Sequence, residues 1–195
     1  MTDQAQQSAQ APSAQASSAQ AYSLPMIILH WVMAIFVFIL IPVGISLDKL
    51  PEGPLQDSLY NGHRSAGLLV LILAVVRVMT RRLHGTPAPA AVLTDFERKA
   101  STAVHHLLYT LLILTPLIGW GMVSSYRADF TFFGLFFVPP ILPQNETLSN
   151  ILANVHAVLG ITMALTVILH AGAGLMHGLI KRDGVLQRML PWTKG

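Results

Sequence analysis

Long apolar stretches broken by short polar ones divide this chain into four segments that read as helices. The first runs roughly Leu24–Leu47 without a charge; the second covers Asn61–Thr80, with Arg64 near its start and Arg77, Arg81 and Arg82 at its end. The third covers Ser101–Ser125, inside the uncharged interval between Lys99 and Arg127, and the fourth covers Leu148–Ile180. Each reaches the ~20 residues that cross a ~30 Å hydrocarbon core. The pattern predicts an all-α fold, a transmembrane four-helix bundle in up-down-up-down order. Pro42 and Pro116 fall inside the first and third segments, where membrane helices tolerate them with a kink.

Residues 1–21, mostly Ala, Gln and Ser with Asp3 as the one charge, have no such pattern and read as a disordered low-complexity tail. The tail lacks the positive start of a secretory signal, so the first apolar run is expected to be retained, in a domain spanning 22–192. The loop from Tyr126 to Asn150 is rich in phenylalanine (Phe130, Phe132, Phe133, Phe136, Phe137) and is expected at the outer interface, capping the bundle. No repeat at solenoid spacing is visible.

Composition supports the membrane reading. Only 11% of the 195 residues are charged and the mean hydropathy is +0.57, against about a quarter charged in soluble domains. The net charge of +3 does not point to nucleic acid, because the cations flank the apolar segments. Arg81, Arg82, Arg98 and Lys99 lie between the second and third segments, and Lys181, Arg182, Arg188 and Lys194 follow the fourth; the other two loops hold Lys49, Arg64 and Arg127. The positive-inside rule then places both termini in the cytoplasm. The absence of cysteine excludes disulfides, thiolate ligation and covalent c-type attachment.

Four histidines, His30, His63, His156 and His170, sit in the apolar segments, each with a small residue four positions on: Ala34, Gly67, Gly160 and Gly174. Intramembrane histidines are costly unless used, and a small residue one turn away leaves room for a flat, bulky group. His156 and His170 share a face of one helix at ~21 Å separation, so one lies near the outer surface and the other in the inner half. Depth then pairs His30 with His170 and His63 with His156. Each pair is expected to clamp a noncovalent haem through Nε2, with Nδ1–H held by a backbone carbonyl, for instance one turn back. Filling both axial positions favours electron transfer over oxygen binding.

Other residues have two readings each. Arg64 pairs with a haem propionate or snorkels at the interface. His105 and His106 bond a quinone or propionate, or are ordinary interfacial side chains. Of the four remaining histidines, His105 is followed at i+4 by Tyr109, His106 by Thr110 and His177 by Lys181, and His84 sits in the loop region of Thr86 and Pro87, so none leaves comparable space. Arg127 steers an anionic substrate or is a solvated loop charge. Gly44, Gly119, Gly121 and Gly172 are read as permitting close helix packing.

The runs Leu29-His30-Trp31, Asn61-Gly62-His63-Arg64-Ser65-Ala66-Gly67 and Leu169-His170-Ala171-Gly172-Ala173, with the tail Lys181 to Pro191, resemble the bacterial cytochrome b561 family over about residues 22–192. The resemblance implies an inner-membrane protein with two b-type haems, the inner on His30 and His170 and the outer on His63 and His156. Some members are implicated as superoxide:ubiquinone oxidoreductases, which makes electron transfer from superoxide, or another periplasmic donor, to ubiquinone the leading expectation. The fourth segment also resembles cytochrome b subunits that carry electrons from a hydrogenase or dehydrogenase partner into the respiratory chain. A metal transporter is the remaining alternative, since imidazole suits zinc and copper. It is disfavoured because the segments contain no carboxylate or cysteine. The same lack of carboxylates argues against proton pumping.

Overall fold

A computed structural model describes residues 22–85 and 87–190. The tail 1–21 and the end of the expected domain, residues 191 and 192, lie outside the described residues, as does Lys194. Four long helices dominate: α1 (Leu24–Ser46), α2 (Pro54–His84), α3 (Asp95–Tyr126) and α4 (Glu146–Leu175). The π-helical turn Met176–Lys181 extends α4.

Local chemistry sets the helix limits. Pro25 and Pro54 occupy first-turn positions of α1 and α2, where their missing N–H costs nothing. Thr94 and Glu97 form a reciprocal capping box at the start of α3. The Asn145 side chain caps α4 by accepting from the Leu148 N–H at 2.9 Å. Helices α1 and α3 continue through Pro42 and Pro116.

The four helices meet in one core to which each contributes a residue: Val37, Val70, Leu111 and Met163. Much of the remaining apolar surface faces outward, including Ile35, Phe38, Ile161, Leu165 and Ile168. Water does not tolerate such a girdle over this length; lipid does. Among the described residues three helical stretches are long and apolar enough to cross a membrane, Leu24–Lys49, Asp95–Tyr126 and Glu146–Lys181.

The expected second span differs here. Helix α2 has the length, at 31 residues, but is not one of those three stretches. Its cation Arg77 is turned into the bundle: it is only 8% exposed, and its Nη1 donates to the Met26 carbonyl at 2.6 Å.

The aromatic loop forms a two-stranded hairpin, β1 (Thr131–Phe132) against β2 (Phe136–Phe137), with Phe132 paired to Phe136. Phe130 and Val138 pack on Val123 of α3. Ser65 of α2 anchors the turn, its Oγ accepting from the Phe133 N–H at 2.9 Å and donating to the Thr131 carbonyl at 3.2 Å. Helix termini and contacts put this hairpin at the end of the bundle that holds His63. The chain's last described segment closes the opposite end. There the Trp31 Nε1 donates to the Met189 carbonyl at 2.7 Å, the Arg188 Nη1 donates to the Ala88 carbonyl, and Leu186 packs against Gly178.

Candidate functional site

The four histidines come together as two pairs at opposite ends of the bundle. The rings of His30 (α1) and His170 (α4) have centroids 6.0 Å apart at 77°, and those of His63 (α2) and His156 (α4) lie 6.1 Å apart at 79°. Metal–imidazole bonds run about 2.0–2.1 Å. Two rings sharing one metal ion through their Nε2 atoms therefore have centroids roughly 6 Å apart. Both pairs meet that spacing, and all four rings are half-buried.

The glycines around the His63–His156 pair fall into two kinds. A Cβ added at Gly44 would stand 2.9 Å from the His63 Cε1, and one at Gly119 would stand 2.9 Å from the His156 Cε1. These two positions seat the edges of the rings, a more specific role than the close helix packing expected of them. Gly121 does sit in close packing, near Leu142 and Leu152, whereas Gly172 approaches nothing within 4 Å. A Cβ on Gly67 or Gly160, one turn after the histidines, would also meet nothing within 4 Å. Those two glycines leave a cradle beside the rings that a flat group fits. At the other end, a Cβ added at Gly174 would stand 3.8 Å from Leu186, an ordinary contact.

Hydrogen bonding sets the tautomers. The His156 Nδ1 donates to the Thr115 carbonyl of α3 at 2.9 Å, which leaves its Nε2 lone pair free to bind a metal. The acceptor is on a neighbouring helix rather than one turn back. The one-turn-back bond occurs instead in His105, to Ser101 at 2.6 Å, and in His106, to Thr102 at 2.8 Å. The His63 Nδ1 is buried without a hydrogen-bond partner among the described residues.

Arg64 is half-buried, its guanidinium 5.5 Å from the Tyr60 ring centroid. Arg127 is exposed, in the left-handed conformation that ends α3, at the rim of a cavity of about 210 Å³ lined by Trp120, Phe130 and Phe137. His106 is exposed. His177 is buried, with its Nδ1 2.6 Å from the Asp183 Oδ2.

Two residues at the His30–His170 end are read only in part from the sequence, His105 as a quinone or propionate partner or an interfacial side chain and Arg77 as a boundary charge. The His105 ring lies 5.1 Å from that of His170, edge to face. Buried Arg77 is close enough to act electrostatically on His30, His105 and His170. A signal for both exists in the spacing. Fourteen positions separate His30 from Gly44 and His63 from Arg77 in the first helix pair, and likewise His105 from Gly119 and His156 from His170 in the second.

The chemistry of this donor set is that of paired neutral imidazoles in an apolar bundle, suited to a bulky planar metal cofactor and to electron transfer. Comparison with known proteins agrees. The family model for prokaryotic cytochrome b561 matches residues 21–192. Cytochrome b561 homolog 1 of Escherichia coli is 27% identical over 174 residues, covering 89% of this chain and 98% of its own. A "Probable superoxide oxidase CybB" of Yersinia pestis is 26% identical over 174 residues, with the same two coverages. A cytochrome b562 of Cereibacter sphaeroides is 27% identical over 177 residues, covering 87% of this chain and 94% of its own. With bundle, histidine pairs and family match in agreement, this chain belongs to the prokaryotic cytochrome b561 family of haem-binding membrane electron-transfer proteins.

Proposed function

We propose that this protein is a di-haem b-type cytochrome that carries electrons across the bacterial inner membrane, from a donor at the periplasmic face to ubiquinone. All four helices cross the bilayer in this reading, with both termini cytoplasmic and the His30–His170 pair on the inner side. The reading rests above all on the two ring pairs with centroids 6.0 and 6.1 Å apart at opposite ends of one bundle.

His30 and His170 would hold one haem b and His63 and His156 the other, bound noncovalently. When bound, the haem supplies reversible one-electron chemistry at iron. The protein's own residues do the rest. Thr115 holds His156 in the tautomer that presents Nε2, and Gly44 and Gly119 let the rings sit against their neighbouring helices. Gly67 and Gly160 leave the flat space. Arg64 lies beside His63, placed to pair with a carboxylate of the outer cofactor. The surrounding apolar side chains exclude water and lower the local dielectric constant.

The name of the Yersinia pestis relative favours superoxide as the donor. Each superoxide anion would give up one electron and leave as dioxygen, and two such electrons with two protons reduce a quinone to quinol. Arg127 and Arg64 supply positive charge at that face to attract an anion.

The test is a spectrum followed by a reaction. Purified protein should show sharp α and β bands on reduction and contain two haems per chain by pyridine haemochrome. Superoxide generated in the medium should reduce both, and added ubiquinone should reoxidise them. Colourless protein would refute the cytochrome reading. A coloured protein that superoxide does not reduce, co-purifying with a large redox partner, would move the assignment to an electron-transfer subunit.

A further inference from the structure

The two halves of the bundle repeat one another at the His63 end. The Gly44–His63 approach in the first half and the Gly119–His156 approach in the second are alike: a Cβ added at either glycine would stand 2.9 Å from the facing Cε1. The equal fourteen-residue spacings carry the relation to the other end. There His30 corresponds to His105, and Arg77 corresponds to His170. The symmetry is broken at one position: where α4 has an imidazole, α2 has a guanidinium.

Arg77 is more than nine-tenths buried, and an arginine does not neutralise itself by losing a proton. Among the described residues it has no carboxylate partner, and its recorded hydrogen bond uses Nη1 alone, toward the Met26 carbonyl. A buried cation left so is strongly unfavourable. Its other donors form a planar fork that matches a carboxylate. It lies on the side of the bundle where His30 and His170 face one another, within electrostatic reach of both.

We propose that Arg77 is the anion anchor of the His30–His170 site, its guanidinium holding a carboxylate of the cofactor bound there. This rests on the di-haem reading given above. It also gives the broken symmetry a use, since one half supplies a metal ligand at this position and the other a counter-charge.

The full chain is synthesised into phosphatidylcholine vesicles, with or without phosphatidylglycerol, and loaded with haem b or with its dimethyl ester, whose carboxylates are blocked. Two quantities are read for the component that disappears in His170→Ala: its midpoint potential and its rate of transfer to excess apomyoglobin. With haem b, Arg77→Gln should lower the potential, because a positive charge that disfavours the oxidised iron is gone. It should also speed haem loss by about tenfold, the typical weight of a charge-assisted bond. Arg77→Lys should retain more of the potential than Arg77→Gln. With the ester, Arg77→Gln and the unsubstituted chain should lose the cofactor at the same rate, while the shift in potential, which needs only the charge, remains.

A difference in haem-loss rate that persists undiminished with the ester would overturn the proposal. So would one that appears only with phosphatidylglycerol, which would assign Arg77 to an anionic headgroup, or no difference at all. If Arg77→Gln does not fold, the two cofactors compared in the unsubstituted chain decide, the ester being lost faster if Arg77 binds a carboxylate. A chain that takes up no haem in any arm overturns the di-haem reading itself, an outcome distinct from two firmly held haems indifferent to Arg77.

Discussion

His156 reaches across to a different helix for its hydrogen bond, donating from Nδ1 to the carbonyl of Thr115 at 2.9 Å, one residue before Pro116. Gly119, one turn further along α3, makes this approach possible by having no side chain where the ring passes. Ring orientation on α4 is therefore set by α3.

Gly119→Ala should disturb this centre selectively. Its Cβ would stand 2.9 Å from the His156 Cε1 and 3.1 Å from Nδ1, and relieving such overpacking typically costs 1–3 kcal/mol (~2 for one methyl). The expected outcome is a lowered Tm and loss or spectral change of one haem of two. Gly44→Ala should affect the same haem through His63. Gly172→Ala, where nothing lies within 4 Å, should change neither quantity.

Replacing His63 or His156 with alanine should remove the same single haem, and replacing His30 or His170 the other. Haem content per chain should fall by about half in each case, a consequence of one metal ion held by two imidazoles. Pyridine haemochrome assays with potentiometric titration check this; full haem content in His156→Ala would reject the ligand assignment.

Ser65→Ala should loosen the hairpin over the His63 end. The hydroxyl is buried and serves both the Phe133 N–H and the Thr131 carbonyl. Leaving these unpaired costs roughly 1–3 kcal/mol. Hydrogen exchange should accelerate at Phe133, while the helices that carry the histidines keep their protection.

Asp183→Asn should weaken the closure of the opposite end in a pH-dependent way. Partial burial pushes the Asp183 carboxyl up, but the hydrogen bonds from His177 Nδ1 and the Val185 N–H outweigh it and hold the group below its ordinary 3.8. A carboxyl lowered on folding contributes stability above its unfolded value, and that contribution is lost as the pH falls through the folded value. The Tm deficit of the variant should therefore be full at pH 7 and shrink below about pH 4.

Much of this architecture was legible in the chain because depth along a membrane helix is nearly a linear function of residue number. That is why depth alone matches His30 with His170, 140 positions apart in sequence. Direction around the helix was harder to read. His105 looked unpromising because Tyr109 follows it by one turn, yet its neighbour His170 lies on another helix, where no intrahelical rule looks. Arg77 was counted as a boundary charge because hydropathy weighs a guanidinium without asking whether it points to lipid or inward. Gly44 and Gly119 carried no local sign of their task, since the rings they seat are separated from them by a loop.

The bond from Trp31 to the Met189 carbonyl ties together parts of the chain 158 positions apart. Trp31 is the residue next to His30, so any pull on the segment around Met189 is transmitted to the backbone that carries that ring. Tail and histidine thus form one lever, through which a load on that surface reaches the interior.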